Sequence, residues 1–132
     1  MVKKWIIMLI IIVVLAVGCI FESNYVNRAF LDLEESLQKY KTTIEQSEEN
    51  SLNTDKNIQT IQSLHNGWHE KVRGLKCFIW HSGVKDVEVG LSRIKTYTSE
   101  NDKTETLAEL NSLIDYLWHY SEDFTITIEN IL

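Results

Sequence analysis

The chain has 132 residues, five glycines, no proline and a net charge of −6. Setting Lys3 and Lys4 aside leaves 11 basic against 19 acidic residues, a net of −8 over the remainder. That balance argues against nucleic acid, which needs a basic face, and against electrostatic docking on anionic headgroups. Its ordinary meaning is a soluble, self-repelling surface, and the length suits one domain behind an apolar amino terminus.

Residues 5–21 are an uncharged apolar run directly behind Lys3-Lys4. As a helix the run measures roughly 25 Å at 1.5 Å per residue, the short end of a bilayer span and the long end of a signal-peptide core. Lysines before it and none just behind it favour an amino terminus in the cytoplasm, with residues 22–132 outside. Trp5 at one end and Phe21 with Tyr25 at the other suit the two interfaces.

Two readings meet at Cys19. Ala16-Val17-Gly18-Cys19 resembles the lipobox of bacterial lipoproteins, with cleavage before Cys19 and diacylglycerol on its thiol, although Ala16 stands where leucine is commoner. Alternatively the segment stays uncut and Cys19 is a small hydrophobe in an anchor helix. Apolar Ile20-Phe21, and the lack of glycine or proline between Phe21 and Gly67, favour an anchor running straight into the outer part. The expected division is 1–21, membrane anchor or lipoprotein signal ending at Cys19, and 22–132, an extracytoplasmic helical bundle.

Four apolar stripes at helical spacing follow. Val26, Phe30, Leu33, Leu37, Tyr40 and Ile44 make the first. The polar stretch 47–55 marks a turn, with Asn53 or Thr54 as N-cap. Ile58, Ile61, His65, Trp68, Val72, Leu75 and Ile79 make the second stripe, which should close where Gly83 relaxes the backbone. The third is Val84, Val87, Leu91 and Ile94, closed by Tyr97, and Asn101 or Asp102 should cap the fourth. That one carries Leu107, Leu110, Ile114 and Leu117, widened by Ala108 and Leu113. In the last nine residues Phe124, Ile126 and Ile128 alternate with polar neighbours, which predicts a short extended tail in a groove, pinned by Phe124 and Ile131-Leu132.

The fold class is therefore all-α: a membrane anchor helix, then an antiparallel bundle of about four helices with an extended C-terminal tail. Leu33, Leu37 and Ile44 could equally pair with a second copy of the chain. With Cys19 in the membrane or lipidated, Cys77 has no disulfide partner within the chain and should pack beside Leu75, Phe78 and Ile79.

Catalytic patterns are missing: there is no glycine-rich phosphate loop, nucleophile elbow or sequence-adjacent Cys–His pair. The adjacent acids Glu34-Glu35 and Glu48-Glu49 read as solvated surface. His65 and His69 stand four apart, a spacing that can place two imidazoles on one metal, with His81 or His119 as a third ligand. Ordinary boundary histidines are the default, so no metal and no cofactor is assigned. Trp68, Trp80 and Trp118 read as packing before they read as a ligand groove. Two aromatic–histidine doublets, Trp80-His81 and Trp118-His119, lie near helix ends and form the best candidate for a partner-contact patch.

The stretch Leu91-Ser92-Arg93-Ile94-Lys95-Thr96-Tyr97, then Asp102-Lys103, Leu107-Ala108-Glu109-Leu110 and Glu129-Asn130-Ile131-Leu132, resembles an uncharacterised bacterial family, domain of unknown function 4363. The resemblance implies a short protein with one amino-terminal membrane segment and a helical remainder. It implies no enzymatic activity, and it points to a multi-pass membrane protein as neighbour. The family's aspartate, histidine and glutamate between the second and third helices are matched only at His81, since Trp80 and Gly83 stand at the carboxylate positions. The expected function is a non-enzymatic, membrane-anchored interaction module whose partner is another membrane protein. The alternative is a lipoprotein whose bundle binds a small molecule or a metal.

Overall fold

A computed structural model describes residues 1–73 and 81–131, with the backbone alone at 23, 81, 82 and 121–131. Four helices follow in order: α1 (Val2–Gln46), α2 (Asp55–Val72), α3 (His81–Ser99) and α4 (Lys103–Ile131). No strand occurs among the described residues. α1 packs on α2 and α4, and α3 packs on α2 and α4. The result is a ring of up-down-up-down neighbours, the arrangement that short links between amphipathic helices favour.

α1 is one helix with two environments. Val26, Ala29, Phe30, Leu33, Leu37, Tyr40 and Ile44 are each at most 5% exposed and form its side of the core. The amino-terminal half lies bare, with Trp5 at 68%, Leu9 at 64% and Phe21 at 72% exposed. This helix is long and apolar enough to cross a membrane, and none of its most apolar 18 residues is buried. The seam Leu33–Leu37–Ile44 is packed inside the bundle core.

The end of the bundle farthest from residue 1 is closed by polar groups. Thr54 caps α2, its Oγ1 accepting from the Asn57 N–H at 3.2 Å. Asp102 caps α4, its Oδ1 accepting from the Glu105 N–H at 3.0 Å. Asn101 ends α3 instead, in the left-handed region at φ 58°. The Asp102 and Asn101 N–H groups donate back to the carbonyls of Tyr97 and Thr98 at 2.9 and 3.2 Å, a helix stop that glycine usually provides. Asparagine serves here because its Oδ1 also accepts from the N–H groups of Leu52 and Asn53, at 3.0 and 2.9 Å. One side chain thus ties the two loops together. Lys103 Nζ donates to the carbonyls of Glu45 and Ser47 at 3.1 and 2.7 Å, satisfying the last turn of α1.

Leu52, in the polar stretch between α1 and α2, is fully buried and plugs this end of the core. Asn57 beside it is also buried, its Nδ2 donating to the Leu52 carbonyl at 3.0 Å. Deeper in, Thr98 Oγ1 donates to the Ile94 carbonyl at 2.8 Å. The Tyr40 hydroxyl, 2.9 Å from Thr98 Oγ1, is then the donor of that pair.

Three expectations are corrected. The carboxyl end is no extended tail: α4 continues to Ile131. A lone strand would leave its backbone groups unpaired, whereas each added helical residue closes a bond. Phe124, Ile128 and Ile131 also step four and three, continuing the stripe of Leu110, Leu113 and Leu117. Gly83 does not relax a helix end but lies in the first turn of α3. A Cβ there would come within 3.0 Å of the Tyr120 ring, so closeness of packing explains the glycine. Ala108 is exposed, and Thr106 is the buried residue of that turn. α2 is described to Val72; Leu75, Cys77 and Ile79 lie outside the described residues.

Candidate functional site

Toward the anchor end, aromatic rings from three helices form a column. The Phe30 ring of α1 lies 5.2 Å from Trp68 of α2 and 5.0 Å from Tyr120 of α4, centroid to centroid. Tyr120 stacks on Tyr116 at 5.7 Å, with 26° between planes. Tilted and offset pairs of this kind add stability beyond the area they bury. Gly83 of α3 completes the cluster, a Cβ there falling 3.3 Å from the Tyr116 hydroxyl.

Two features mark this column. The Trp68 side chain is 2% exposed, and its Nε1 finds no acceptor among the described residues. It borders a crevice of about 90 Å³ between α1 and α2, with Asp32, Ser36, Ser63 and Lys71 on its walls. The phenol of Tyr116 is pushed up to about 12, by burial first and then by the negative charge of Asp86. Tyr120 is raised for the same two reasons. Both phenols hold their protons far from neutral pH, which suits packing and hydrogen bonding rather than proton transfer. A second, shallow groove of about 310 Å³ runs between α3 and α4, lined among others by Asp86, Val89, Gly90, Arg93 and Glu109. Arg93 pairs with Glu109 across it at 3.7 Å.

The three histidines with described side chains, His65, His69 and His119, do not converge on one point. His65 is half-buried and His69 exposed on α2. His69 Nδ1 meets Glu88 Oε1 of α3 at 2.8 Å, making a polar clasp between neighbouring helices. His119 on α4 donates from Nδ1 to the Asp115 carbonyl at 2.7 Å. α4 lies diagonally across the ring from α2, which keeps His119 away from the α2 pair. His81 opens α3, and its side chain lies outside what is described. Among the described residues no group of three His, Cys, Asp or Glu side chains could hold a metal ion.

Of the two aromatic–histidine doublets, only Trp118-His119 has its side chains among the described residues. Tyr116 and Tyr120 meet α3 at Gly83; Trp118, two residues from each, lies about 200° around the helix, on the side away from α3. It is 46% exposed, with the His119 ring edge-on at 5.4 Å. Trp80 and Cys77 lie outside the described residues. Cys19 is exposed on the bare half of α1.

The column escaped sequence reasoning because Phe30 and Trp68 belong to separate stripes, Tyr116 and Tyr120 belong to none, and no spacing links Phe30 to Tyr120. The only signal was the density of aromatics near one end of three stripes.

Neither a curated protein nor a solved structure matches this chain. A family model described as Domain of unknown function (DUF4363) matches residues 20–131, which takes in the whole bundle. The chain, whose second half already resembled that family, belongs to it.

Proposed function

We propose that this chain is a membrane-anchored helical domain held outside the cytoplasm, without catalytic activity, that binds another protein of the same membrane. The observation that carries this reading is the continuity of α1, which passes unbroken from a bare apolar half into the core of a bundle. Such a helix needs lipid around its first half. Lys3 and Lys4 ahead of the apolar run favour the cytoplasmic side for the amino terminus. Trp118, on the outward side of α4 with His119 beside it, supplies an aromatic anchor of the kind found at interface centres.

The full chain, extracted from its membranes in mild detergent, should migrate as a complex larger than itself. Trp118→Ala should release it without changing the far-ultraviolet helix signal. Migration alone, both in mild detergent and after crosslinking in intact membranes, overturns the reading.

A second reading rests on Cys19, exposed one residue after Gly18: a lipoprotein whose bundle binds a small molecule or metal in a crevice such as that beside Trp68. Fatty-acid label that disappears in Cys19→Ala, with loss of the first 18 residues, would select it. Retention of those residues excludes it.

A further inference from the structure

We propose that α4 makes a second contact with the membrane: its C-terminal turns lie in the lipid interface beside α1, so the bundle rests on the bilayer and does not hang from one helix. The inference rests on residues 5–21 crossing a bilayer. Two observations place the end of α4 there.

The first is the absence of any spacer. Ile20 and Phe21 are 54% and 72% exposed, Glu22 is half-buried, and Val26 is 1% exposed. Cover by the bundle therefore begins at the residue where the apolar run ends, within one uninterrupted helix.

The second is the register of α1 against α4. Lys103 reaches the carbonyls of Glu45 and Ser47 at one end, and Tyr120 meets Phe30 near the other. The helices are antiparallel, and beyond Tyr120 the backbone of α4 continues for 11 residues to Ile131. At 1.5 Å per residue that is about 16 Å, which brings Ile131 level with Cys19, inside the outer edge of the apolar run.

The size of the span presses the same way. The run measures about 25 Å as a helix, short of a hydrocarbon core of about 30 Å. A short span draws its flanking residues toward the lipid, and here those flanks are the first covered residues of the bundle.

The sequence of this stretch suits the place. Phe124, Ile126, Ile128, Ile131 and Leu132 accompany Glu122, Asp123 and Glu129, with no lysine or arginine beyond residue 120. By position Ile126 lies about 160° from Ile128 around the helix, so apolar residues are not confined to the stripe toward α1. The contact is accordingly apolar and not electrostatic.

The test uses the unaltered full chain in phosphatidylcholine–phosphatidylglycerol nanodiscs that contain a phospholipid with a photoactivatable diazirine high on its acyl chain. Adducts are mapped by mass spectrometry. The expected result is label in residues 5–21 and in the peptide covering 124–132, none in the loops 47–54 and 100–102, and no change between low and high salt. Label in 5–21 with none in 124–132 overturns the second contact and leaves the anchor standing. No label in 5–21 overturns the anchor reading, and this inference with it. C-terminal label that vanishes at high salt overturns the apolar character of the contact.

Discussion

The two halves of α1 are the same helix under opposite rules. From residue 22 onward one apolar stripe, from Val26 to Ile44, is buried in the bundle core, and only Tyr25 and Leu31 stand exposed outside it, at 49% and 46%. Before residue 22 the apolar residues occupy all sides, and none is covered. The contrast teaches that burial is the variable, not helix formation. The first half needs a solvent that the chain does not supply, whereas the second carries its own.

Crossing one substitution from each half is the strongest way to break this contrast. Trp68→Ala should cost the bundle about 3–5 kcal/mol, read as a lowered denaturation midpoint, while the chain stays in the membrane fraction. Ile12→Arg should do the reverse. It places a charge at the centre of the span, costs about 2.5–3.5 kcal/mol of insertion and leaves the bundle's midpoint alone. Equal damage to both properties by either variant would make the halves one cooperative unit.

Alkaline titration should touch the covered half alone. Tyr116 is raised to about 12, and Tyr40 and Tyr120 are raised, by burial in each case first. An unfolded tyrosine ionises near 10, so the folded state holds its protons longer. The stabilisation from the neutral phenols is complete below pH 10 and fades as pH climbs toward 12. Denaturant midpoints should be flat from pH 8 to 10 and fall above it, and Tyr116→Phe should flatten part of the fall. An unchanged slope in that variant would remove Tyr116 from the account.

A smaller contrast lies within α1. Ala29 is 3% exposed, so Ala29→Leu should overpack the core at a cost of about 1–3 kcal/mol. Nothing lies within 4 Å of a Cβ at Gly18, so Gly18→Leu should leave the bundle's midpoint unchanged. The same variant spoils the small-residue pattern before Cys19, so an altered processed mass would return the lipoprotein reading.

The sequence made the helical stripes legible because burial there follows one period: all six residues read for α1 are in the core. It hid what periodicity does not encode. Leu52 is a single apolar residue in a polar run, and only the meeting of two loops encloses it. Thr98, Thr106 and Asn57 are buried polar residues, invisible to a search for apolar spacing. The end of α4 was misread because alternating Phe124, Ile126 and Ile128 satisfy both a two-residue and a helical period. At the candidate site, the outward position of Trp118 follows from where Gly83 admits Tyr120, a fact about two helices that neither segment carries alone.

The unbroken passage of α1 has a mechanical consequence. With the first half in a bilayer, the domain has no swivel: it can drift laterally and spin about the membrane normal, but it cannot nod or reach. The 25 residues from Glu22 to Gln46 rise about 37 Å as helix, which fixes the height of every surface group above the lipid. A partner must therefore present its own site at the matching altitude. Inserting one residue near residue 22 would turn the domain's azimuth by about 100° relative to the span while leaving the core contacts from Val26 onward intact.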